Sequence, residues 1–314
     1  MSESPVKPGV IWVGTDDGKL QLTQTGGSSW TDLTSALAAA GAPVDRWISR
    51  VFASPYDAGA AFVSKNGFRN DDFTPYLYRT TDYGKTWTPI AGNLPNAAIN
   101  VVVQDRKKRD LLIVGSDIGV FVSIDGGAHW TQMKANLPTV AVHDLTIHPR
   151  ENDLVLGTYG RAFWTGDITP LQELTPELFD KAAYLFDIEP RARYGFSTQG
   201  MNYHLFGDKY LSVANEPEAF AINYYLKTDS PSPAHIAVTD ATGRTVRQLD
   251  GPAKRGLNRA FASLNGGFGG RGGGRGRGAA PADGPLPVGE YSVTVDVAGE
   301  KLTKPARVRE RIGS

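Results

Sequence analysis

Cysteine is missing from this 314-residue chain. Its absence excludes disulfides, thiolate metal sites and cysteine nucleophiles. Apolar runs are also short, because none approaches the roughly 18 residues that cross a membrane as a helix. Residues 1–9 lack the apolar stretch of a signal peptide. The sequence therefore predicts a chain that is held together by packing, with no membrane span and no visible signal peptide.

An excess of charge is missing as well. Lys+Arg and Asp+Glu number 33 each, so the formal net charge is zero. Positive charge collects in residues 244–314, which contain 13 Lys and Arg against 6 Asp and Glu. The Gly/Arg-rich segment 266–284 within this stretch contains a candidate anion-binding patch, Arg271, Arg275 and Arg277. Arginine with flexible glycine can follow a phosphate backbone, but three arginines are too few for tight binding. We therefore expect a flexible loop here and no nucleic-acid partner.

Helical periodicity is essentially absent before Thr175, and short β-branched and aromatic runs alternate there with Gly, Asp, Asn and Pro. An internal repeat organises these runs. Its pattern, Ser/Thr-x-Asp-x-Gly-x-x-Trp, occurs at residues 23–30, 80–87 and 123–130, and Thr25 replaces the aspartate in the first copy. The tryptophans lie 57 and 43 residues apart, which is the scale of a propeller blade.

Each copy of this pattern, which we call a box turn, is predicted to connect the third and fourth strands of a blade. The aspartate can accept hydrogen bonds from backbone N–H groups of the turn, and the glycine permits the backbone conformation that the turn needs. The tryptophan fills the space between adjacent blades. We expect structural roles for all of these residues: Trp30, Asp82, Gly84, Trp87, Asp125, Gly127 and Trp130.

The box turns resemble the BNR or Asp-box repeats of sialidases, sortilin-type receptors and photosystem assembly factors. A closer resemblance is to large exported bacterial proteins that are labelled sortilin-like or "glycosyl hydrolase, BNR repeat". The segments that carry it are residues 4–9, 69–72, 142–145, 148–153, 157–161 and 167–171. This resemblance implies a β-propeller in a parent protein that is extracellular or periplasmic, with more blades upstream.

The predicted fold is all-β: a partial β-propeller of about 3.5 four-stranded blades, followed by an Ig-like β-sandwich. The predicted domains are blades over residues 1–167, a connector with one short helix over 168–214, and a sandwich over 215–314 with a loop at 266–284. The last of these resembles the Ig-like module of flagellar hook-capping proteins. The first blade is predicted to begin at its second strand and the last to stop after its third. An incomplete ring exposes strand edges, so we expect a homodimer, upstream blades or an unusual open arrangement.

Catalysis would need groups that the sequence offers only in part. Glycoside hydrolysis uses two carboxyl groups about 5–10 Å apart. The candidate catalytic residues near strand ends are Asp16, Asp117 and Asp144, with His143 as a candidate base. Aspartates in such turns are also typical turn formers. No two histidines have metal-ligand spacing, so we expect no metal and no cofactor.

The sequence favours a non-catalytic binding or scaffold protein of the exported sortilin-like type. A peptide or carbohydrate ligand would bind on the blade tops or in the central channel. The first alternative is a glycoside hydrolase, either sialidase-like or another exported polysaccharide hydrolase, that uses carboxylates on the channel rim. The second alternative is an assembly chaperone. A hydrolase requires two close carboxylates in a concave pocket, whereas a binding protein requires an exposed aromatic or apolar patch.

Overall fold

Strands dominate the chain. The computed structural model describes residues 1–134, 136–193, 217–265 and 284–310. The chain divides into two compact units, Met1–Leu174 and Thr175–Ser314. The predicted all-β class is confirmed for the described residues.

The first unit contains four antiparallel sheets, each made of consecutive strands. Blade 1 consists of β1 (Ser2–Glu3), β2 (Ile11–Gly14), β3 (Leu20–Thr23) and β4 (Thr31–Asp32). Blade 2 consists of β5 (Trp47–Ala53), β6 (Ala61–Gly67), β7 (Asp72–Thr80) and β8 (Thr88–Pro89). Blade 3 consists of β9 (Ile99–Gln104), β10 (Leu112–Ser116), β11 (Gly119–Ser123) and β12 (Thr131–Met133). Blade 4 consists of β13 (Val142–Ile147), β14 (Asp153–Thr158) and β15 (Phe163–Asp167).

The blades stack around a common axis. The first strands of successive blades lie against one another, β1 on β5, β5 on β9 and β9 on β13. This arrangement makes the first strand of each blade the innermost, as in a propeller. The predicted partial β-propeller is therefore confirmed, with three four-stranded blades and one three-stranded blade. The prediction that blade 1 lacks its first strand is wrong, because β1 pairs with β2, Ser2 lying opposite Trp12.

Burial differs between the central and the terminal blades. Every residue of β9, β10 and β11 is buried, as expected for strands whose sequence is apolar almost without interruption. In β14 only Leu154 and Leu156 are buried, so blade 4 is packed on one face. Blades 1 and 2 share a core that contains Trp12 and Trp87. Blades 2 and 3 share another that contains Trp130.

Helices in the described residues are short. They are α1 (Thr34–Ala39), α2 (Thr169–Glu173) and two 3-10 helices, Phe68–Asn70 and Pro176–Asp180. Two short helices, α1 and α2, precede Thr175 although helical periodicity is essentially absent there. α1 contains three alanines and a leucine, which favour a helix, but six residues are too few to show a helical period. The short helix expected from Thr175 is the 3-10 helix, with Pro176 in its first turn.

The second unit has two sheets. One contains β16 (Ala183–Leu185), β18 (Ala219–Leu226) and β21 (Gly256–Ser263), in the order β16-β18-β21. The other contains β17 (Arg191–Ala192), β19 (Ala234–Asp240), β20 (Thr245–Gly251), β22 (Gly289–Val297) and β23 (Glu300–Arg309), in the order β17-β23-β22-β19-β20. All neighbours are antiparallel except β17 and β23. Residues of both sheets form one hydrophobic core, which includes Phe220, Tyr224, Val238 and Val293.

Three features of the second unit differ from the predicted outline or lie beyond it. Strands β16 and β17 fall within the predicted connector, and β20 was not predicted as a strand. Arg271, Arg275 and Arg277 lie outside the described residues.

No helix of the described chain is long and apolar enough to span a membrane.

Candidate ligand-binding face

In blades 2, 3 and 4, one residue near the start of the first strand forms a β-bulge. The pairing of β5 with β6 shifts between Ile48 and Arg50, which leaves Ser49 without a position opposite it. Corresponding shifts at β9 and β13 leave Asn100 and His143 in the same situation. A bulge re-aims side chains and often lies next to a functional site. Ser49, Asn100 and His143 therefore occupy equivalent places around the propeller axis.

A ladder of buried amides links three blades at this level. Asn66 Nδ2 of blade 2 donates to Asn100 Oδ1 of blade 3 over 2.7 Å. Asn100 Nδ2 donates to Asp117 Oδ1 over 2.9 Å and to the carbonyl of Val142 in blade 4 over 3.3 Å. Buried polar groups need such partners. The candidate catalytic residue Asp117 is thus an acceptor in a blade-to-blade ladder.

The candidate catalytic residue Asp144 is engaged by a cation. Asp144 on β13 forms an ion pair with Arg50 on β5, so the contact joins blades 2 and 4 across the first strand of blade 3. Asp144 Oδ1 also accepts the backbone N–H of Leu145 over 2.9 Å. Arg50 Nε is buried and has no hydrogen-bond partner among the described residues. The contacts of Asp144 are therefore those of an ion-pair partner that links two blades.

The third candidate carboxylate, Asp16, is exposed in the turn between β2 and β3. The hydroxyl of Thr15 donates a hydrogen bond to the neighbouring Asp17, and Lys19 forms an ion pair with it. These two contacts, Thr15 first, lower the pKa of Asp17 to about 2. No hydrogen bond or ion pair in the described part of the chain joins any two of Asp16, Asp117 and Asp144 to each other. Nor does any group of three or more described acidic or histidine side chains have a geometry that could hold a metal ion.

His143 contacts an exposed tyrosine. Its ring lies 5.4 Å from that of Tyr159, centroid to centroid, with the planes tilted by 35°. Tyr159 belongs to the turn between β14 and β15, and its backbone N–H donates to the carbonyl of Ala141 over 2.9 Å. Tyr159 is 76% exposed. The pair therefore presents an open aromatic surface beside the start of β13.

Four exposed aromatic side chains lie at this end of the blades, and we call this surface the binding face. Phe68 and Phe73 flank the β6–β7 turn, and Tyr159 and Phe163 flank the β14–β15 turn. Phe163 is 81% exposed. In antiparallel blades the second-to-third turn lies beside the start of the first strand. The binding face therefore surrounds the bulged residues.

Blade 2 adds a stacked cluster to this face. Trp47 and Phe68 meet edge to face, with ring centroids 5.4 Å apart. The guanidinium of Arg69 lies over the Trp47 ring, 4.6 Å from its centroid. Sequence reasoning missed these aromatic residues as site candidates. The available signal was the presence of Phe68, Phe73, Tyr159 and Phe163 in or directly beside turns, where polar residues are the norm.

The box turns lie at the opposite end of the blades, where each is closed by a ring of hydrogen bonds. In blade 2, Thr80 Oγ1 donates to Asp82 over 2.8 Å and accepts the N–H of Gly84 over 3.0 Å. Asp82 also accepts the N–H and the hydroxyl of Thr86 over 3.0 and 2.6 Å. Blade 3 repeats the ring around Asp125. The hydrogen bond from the Thr86 hydroxyl is the largest cause that lowers the pKa of Asp82 to about 2.

The first copy keeps the ring without the aspartate. Thr25 Oγ1 accepts the N–H of Ser29 over 3.0 Å, and Thr23 Oγ1 accepts the N–H of Gly27 over 2.9 Å. The tryptophans differ more: Trp87 and Trp130 are 7% and 4% exposed, whereas Trp30 is 45% exposed. Replacement of the aspartate therefore leaves the turn intact, and only the surroundings of the tryptophan change.

We expect Asp82→Ala to lower the free energy of unfolding by about 1–2 kcal/mol at pH 7, because charge-assisted hydrogen bonds of the turn are lost. The folded pKa of Asp82 lies below the ordinary value of 3.8. Its contribution is therefore complete above about pH 4 and is lost as the pH falls toward 2. Urea unfolding of wild type and variant between pH 2.5 and 7 measures this. An unchanged difference across that range would contradict the assignment.

The family model described as "Sortilin, neurotensin receptor 3," matches residues 76–175, less than half of the chain. The first unit of this chain is a partial β-propeller. None of the curated proteins matches it. The matched residues run from β7 through blades 3 and 4 to the end of the first unit.

The propeller protein is similar to solved structures at low identity. A GH74 xyloglucanase from Xanthomonas campestris is 14% identical over 96% of this chain and 44% of its own, with a TM-score of 0.44. YCF48 bound to D1 peptide is 11% identical over 97% of this chain and 79% of its own, with a TM-score of 0.36. Sqt1 from Saccharomyces cerevisiae is 11% identical over 96% of this chain and 82% of its own, with a TM-score of 0.37. The chain spans less than half the length of the xyloglucanase.

Proposed function

We propose that this propeller is a non-catalytic binding or scaffold module that holds a peptide or carbohydrate ligand on its binding face. One observation carries the proposal: exposed aromatic side chains gather at the end of the blades where the first strands begin. Exposed apolar surface of this kind marks interaction sites. Tyr159 and Phe163 lie on blade 4, and Phe68 and Phe73 lie on blade 2.

The polar groups of the face suit recognition of an uncharged or zwitterionic ligand. Aromatic rings supply apolar contact area at low entropic cost, and a few fixed polar groups beside them set orientation. Those groups are the Arg50–Asp144 ion pair, His143 and Arg69. The Arg50–Asp144 pair contains one positive and one negative charge, so its electrostatic field is small at a distance.

The alternative, a glycoside hydrolase, has one observation in its favour: Asp16 is exposed at the end of the blades that carries the binding face. Its other requirements are poorly met. Two cooperating carboxyl groups are needed, one of them protonated before reaction. Asp144 is bound to Arg50, and Asp117 accepts a hydrogen bond from Asn100. Each of these two carboxylates therefore already has a protein partner. An assembly chaperone is the second alternative, and it would use the same face for a peptide.

We propose in addition that the box turns are BNR repeats of an exported sortilin-like protein, extracellular or periplasmic. The hydrogen-bonded ring around Asp82 and Asp125 and the matched residues 76–175 support this. We also propose that the second unit is an Ig-like module that acts as a spacer. Its support is the parallel pairing of β17 with β23, together with the bond from the Tyr291 hydroxyl to the Pro287 carbonyl over 2.7 Å. A tyrosine bonded back to the chain before its strand is typical of such sandwiches.

Calorimetric titration tests the binding function with two panels, soluble neutral polysaccharides and synthetic peptides. For a ligand found in either panel, we expect Tyr159→Ala combined with Phe163→Ala to weaken binding at least tenfold, since each aromatic contact contributes on the order of 1 kcal/mol. The matched control is Trp30→Ala, which removes an exposed aromatic ring at the opposite end and should leave the affinity unchanged. Hydrolysis of a panel glycoside that disappears in Asp16→Asn or Asp144→Asn would contradict the proposal and support the alternative.

A further inference from the structure

A hollow lies on the outer face of the five-stranded sheet in the second unit. Residues of β19 point alternately into the core, as Ile236 does, and away from it, as Ala237 does. On the outer face, Ala237 lies between Gln248 of β20 and Thr294 of β22, which are opposite it in the two neighbouring strands. Because alanine is shorter than both neighbours, the surface dips there and forms a cavity of about 440 Å³. This volume is within the range of small-molecule sites.

A row of four side chains, one from each of four adjacent strands, borders this hollow. The row crosses β20, β19, β22 and β23 in that order, and its members are Asp250, His235, Asp296 and Lys301. His235 Nδ1 and Asp250 Oδ1 form a hydrogen bond over 2.7 Å. The side chains of Asp296 and Lys301 form no hydrogen bond or ion pair with any described residue. Two opposite charges that the fold leaves unpaired therefore line the same cavity.

The open Asp296–Lys301 pair differs from another pair of opposite charges on the same two strands. Glu290 of β22 and Arg307 of β23 lie opposite each other on the same face and form an ion pair over 3.1 Å. An even number of residues separates the two pairs along each strand, so both have the same cross-strand geometry. Facing side chains of opposite charge usually attract each other in that geometry. Asp296 and Lys301 are instead available to a ligand.

We propose that this hollow is a second binding site, which takes a small zwitterion of the free amino acid type. The ammonium group of the ligand pairs with the Asp296 carboxylate, and the ligand carboxylate pairs with the Lys301 ammonium. Both charges of the site then gain partners in one step, through hydrogen bonds of the strong, charge-assisted kind. A ligand with a single charge satisfies only one of them. This site gives the second unit a binding role that does not depend on the binding face of the propeller.

The charges around the hollow also set an order among amino acids. At a pH where His235 is neutral, the Asp250 and Asp296 carboxylates outnumber the Lys301 ammonium, so the field in the hollow favours a ligand with a net positive charge. L-lysine therefore binds more tightly than L-alanine, and L-glutamate binds more weakly than either. Because the hollow is open and its side chains are solvated, we expect a Kd on the order of 1 mM for L-lysine. The affinity falls as the salt concentration rises.

NMR titrations of the full chain with L-lysine, L-alanine and L-glutamate test the proposal, with saturation transfer from the protein to the amino acid as the readout. Asp296→Asn and Lys301→Met should each weaken L-lysine binding about fivefold or more, since each removes one of two charge-assisted contacts. The matched control is Arg307→Met, which breaks the closed pair on the same two strands and should leave the affinity unchanged. Acetate and ethylamine, which carry one charge each, should bind about fivefold more weakly than L-alanine.

Two further variants separate the site from the fold. Ala237→Leu fills the hollow from an outward-facing position, so it should abolish binding with little change in the midpoint of urea unfolding. Lys301→Asp should abolish the binding of L-alanine. Adding Asp296→Lys to that variant should restore at least part of the binding, because the cavity again presents one charge of each sign.

Three results would overturn the proposal. The first is L-lysine binding that is unchanged in both Asp296→Asn and Lys301→Met. The second is tighter binding of methyl glucoside, an uncharged sugar, than of L-lysine, with the sugar lost in Ala237→Leu, which would assign the hollow to a sugar. The third is the absence of saturation transfer to any of the three amino acids at concentrations well above the expected Kd.

Discussion

Replacing Trp130 by alanine lowers the free energy of unfolding of the propeller unit by about 3–5 kcal/mol, the usual cost of removing a buried tryptophan. The indole packs in the core between blades 2 and 3, and its N–H is bonded to Ile90. Removing it leaves a cavity and deprives the Ile90 carbonyl of its donor. It also weakens the hydrogen bonds between the Asn93 side chain and the Trp130 backbone. All six tryptophans lie in the first unit, so fluorescence during urea unfolding measures its stability.

Trp30→Ala is the matched control for Trp130→Ala. It removes the same side chain from an equivalent turn, but the loss should be below about 1 kcal/mol, because Trp30 is 45% exposed. The difference between the two variants isolates packing between blades from the intrinsic stability of the turn. Equal losses in the two variants would show that the tryptophan stabilises its own hairpin, which would contradict the stacking account.

Replacing Lys65 by alanine is expected to cost about 2–4 kcal/mol, from lost packing and from carbonyls left without a donor. Lys65 lies on β6 and is only 1% exposed. Its ammonium donates to the carbonyls of Gly18 over 3.1 Å and of Pro43 over 2.5 Å, so it ties blade 1 and its following loop to blade 2. Lys65→Met keeps most of the volume and should cost less, about 1–3 kcal/mol. Urea unfolding measures both variants.

The pH dependence of stability separates Lys65 from ordinary lysines. Burial is the main cause that lowers its pKa from 10.5 to about 8. The unfolded chain therefore binds this proton more tightly than the folded one, so stability rises with pH between about 8 and 10.5. Relative to Lys65→Met, the wild type should gain about 1–2 kcal/mol between pH 7.5 and 9.5. A flat difference over that interval would contradict the lowered pKa of Lys65.

Much of the propeller could be predicted from the sequence because its signals are local. The strands of blade 3 carry clear local signals, since their β-branched runs end at Gly and Asp turns. Other elements carry weak local signals. Strand β1 has two residues and is defined by its pairing with β2. Strands β16 and β17 have three and two residues and likewise depend on distant partners.

The candidate site was less predictable, because its chemistry depends on contacts between blades. Asp117 and Asp144 lie at strand ends, where a catalytic carboxylate would be expected. Nothing in the neighbouring sequence distinguishes a catalytic aspartate from one that accepts a hydrogen bond or forms an ion pair. Their partners, Asn100 and Arg50, lie 17 and 94 residues away in sequence. The exposure of Tyr159 and Phe163 was equally hidden, since a sequence does not reveal which aromatic residues neighbouring blades leave uncovered. Whether these aspartates or these rings act on a ligand remains a prediction.

A crystal structure of the full chain with the ligand selected by calorimetry tests the central claim most directly. The account predicts an intact ligand lying against Tyr159 and Phe163, with the Arg50–Asp144 pair beside it. A ligand cleaved between Asp16 and Asp117, or one bound only to the second unit, would contradict it.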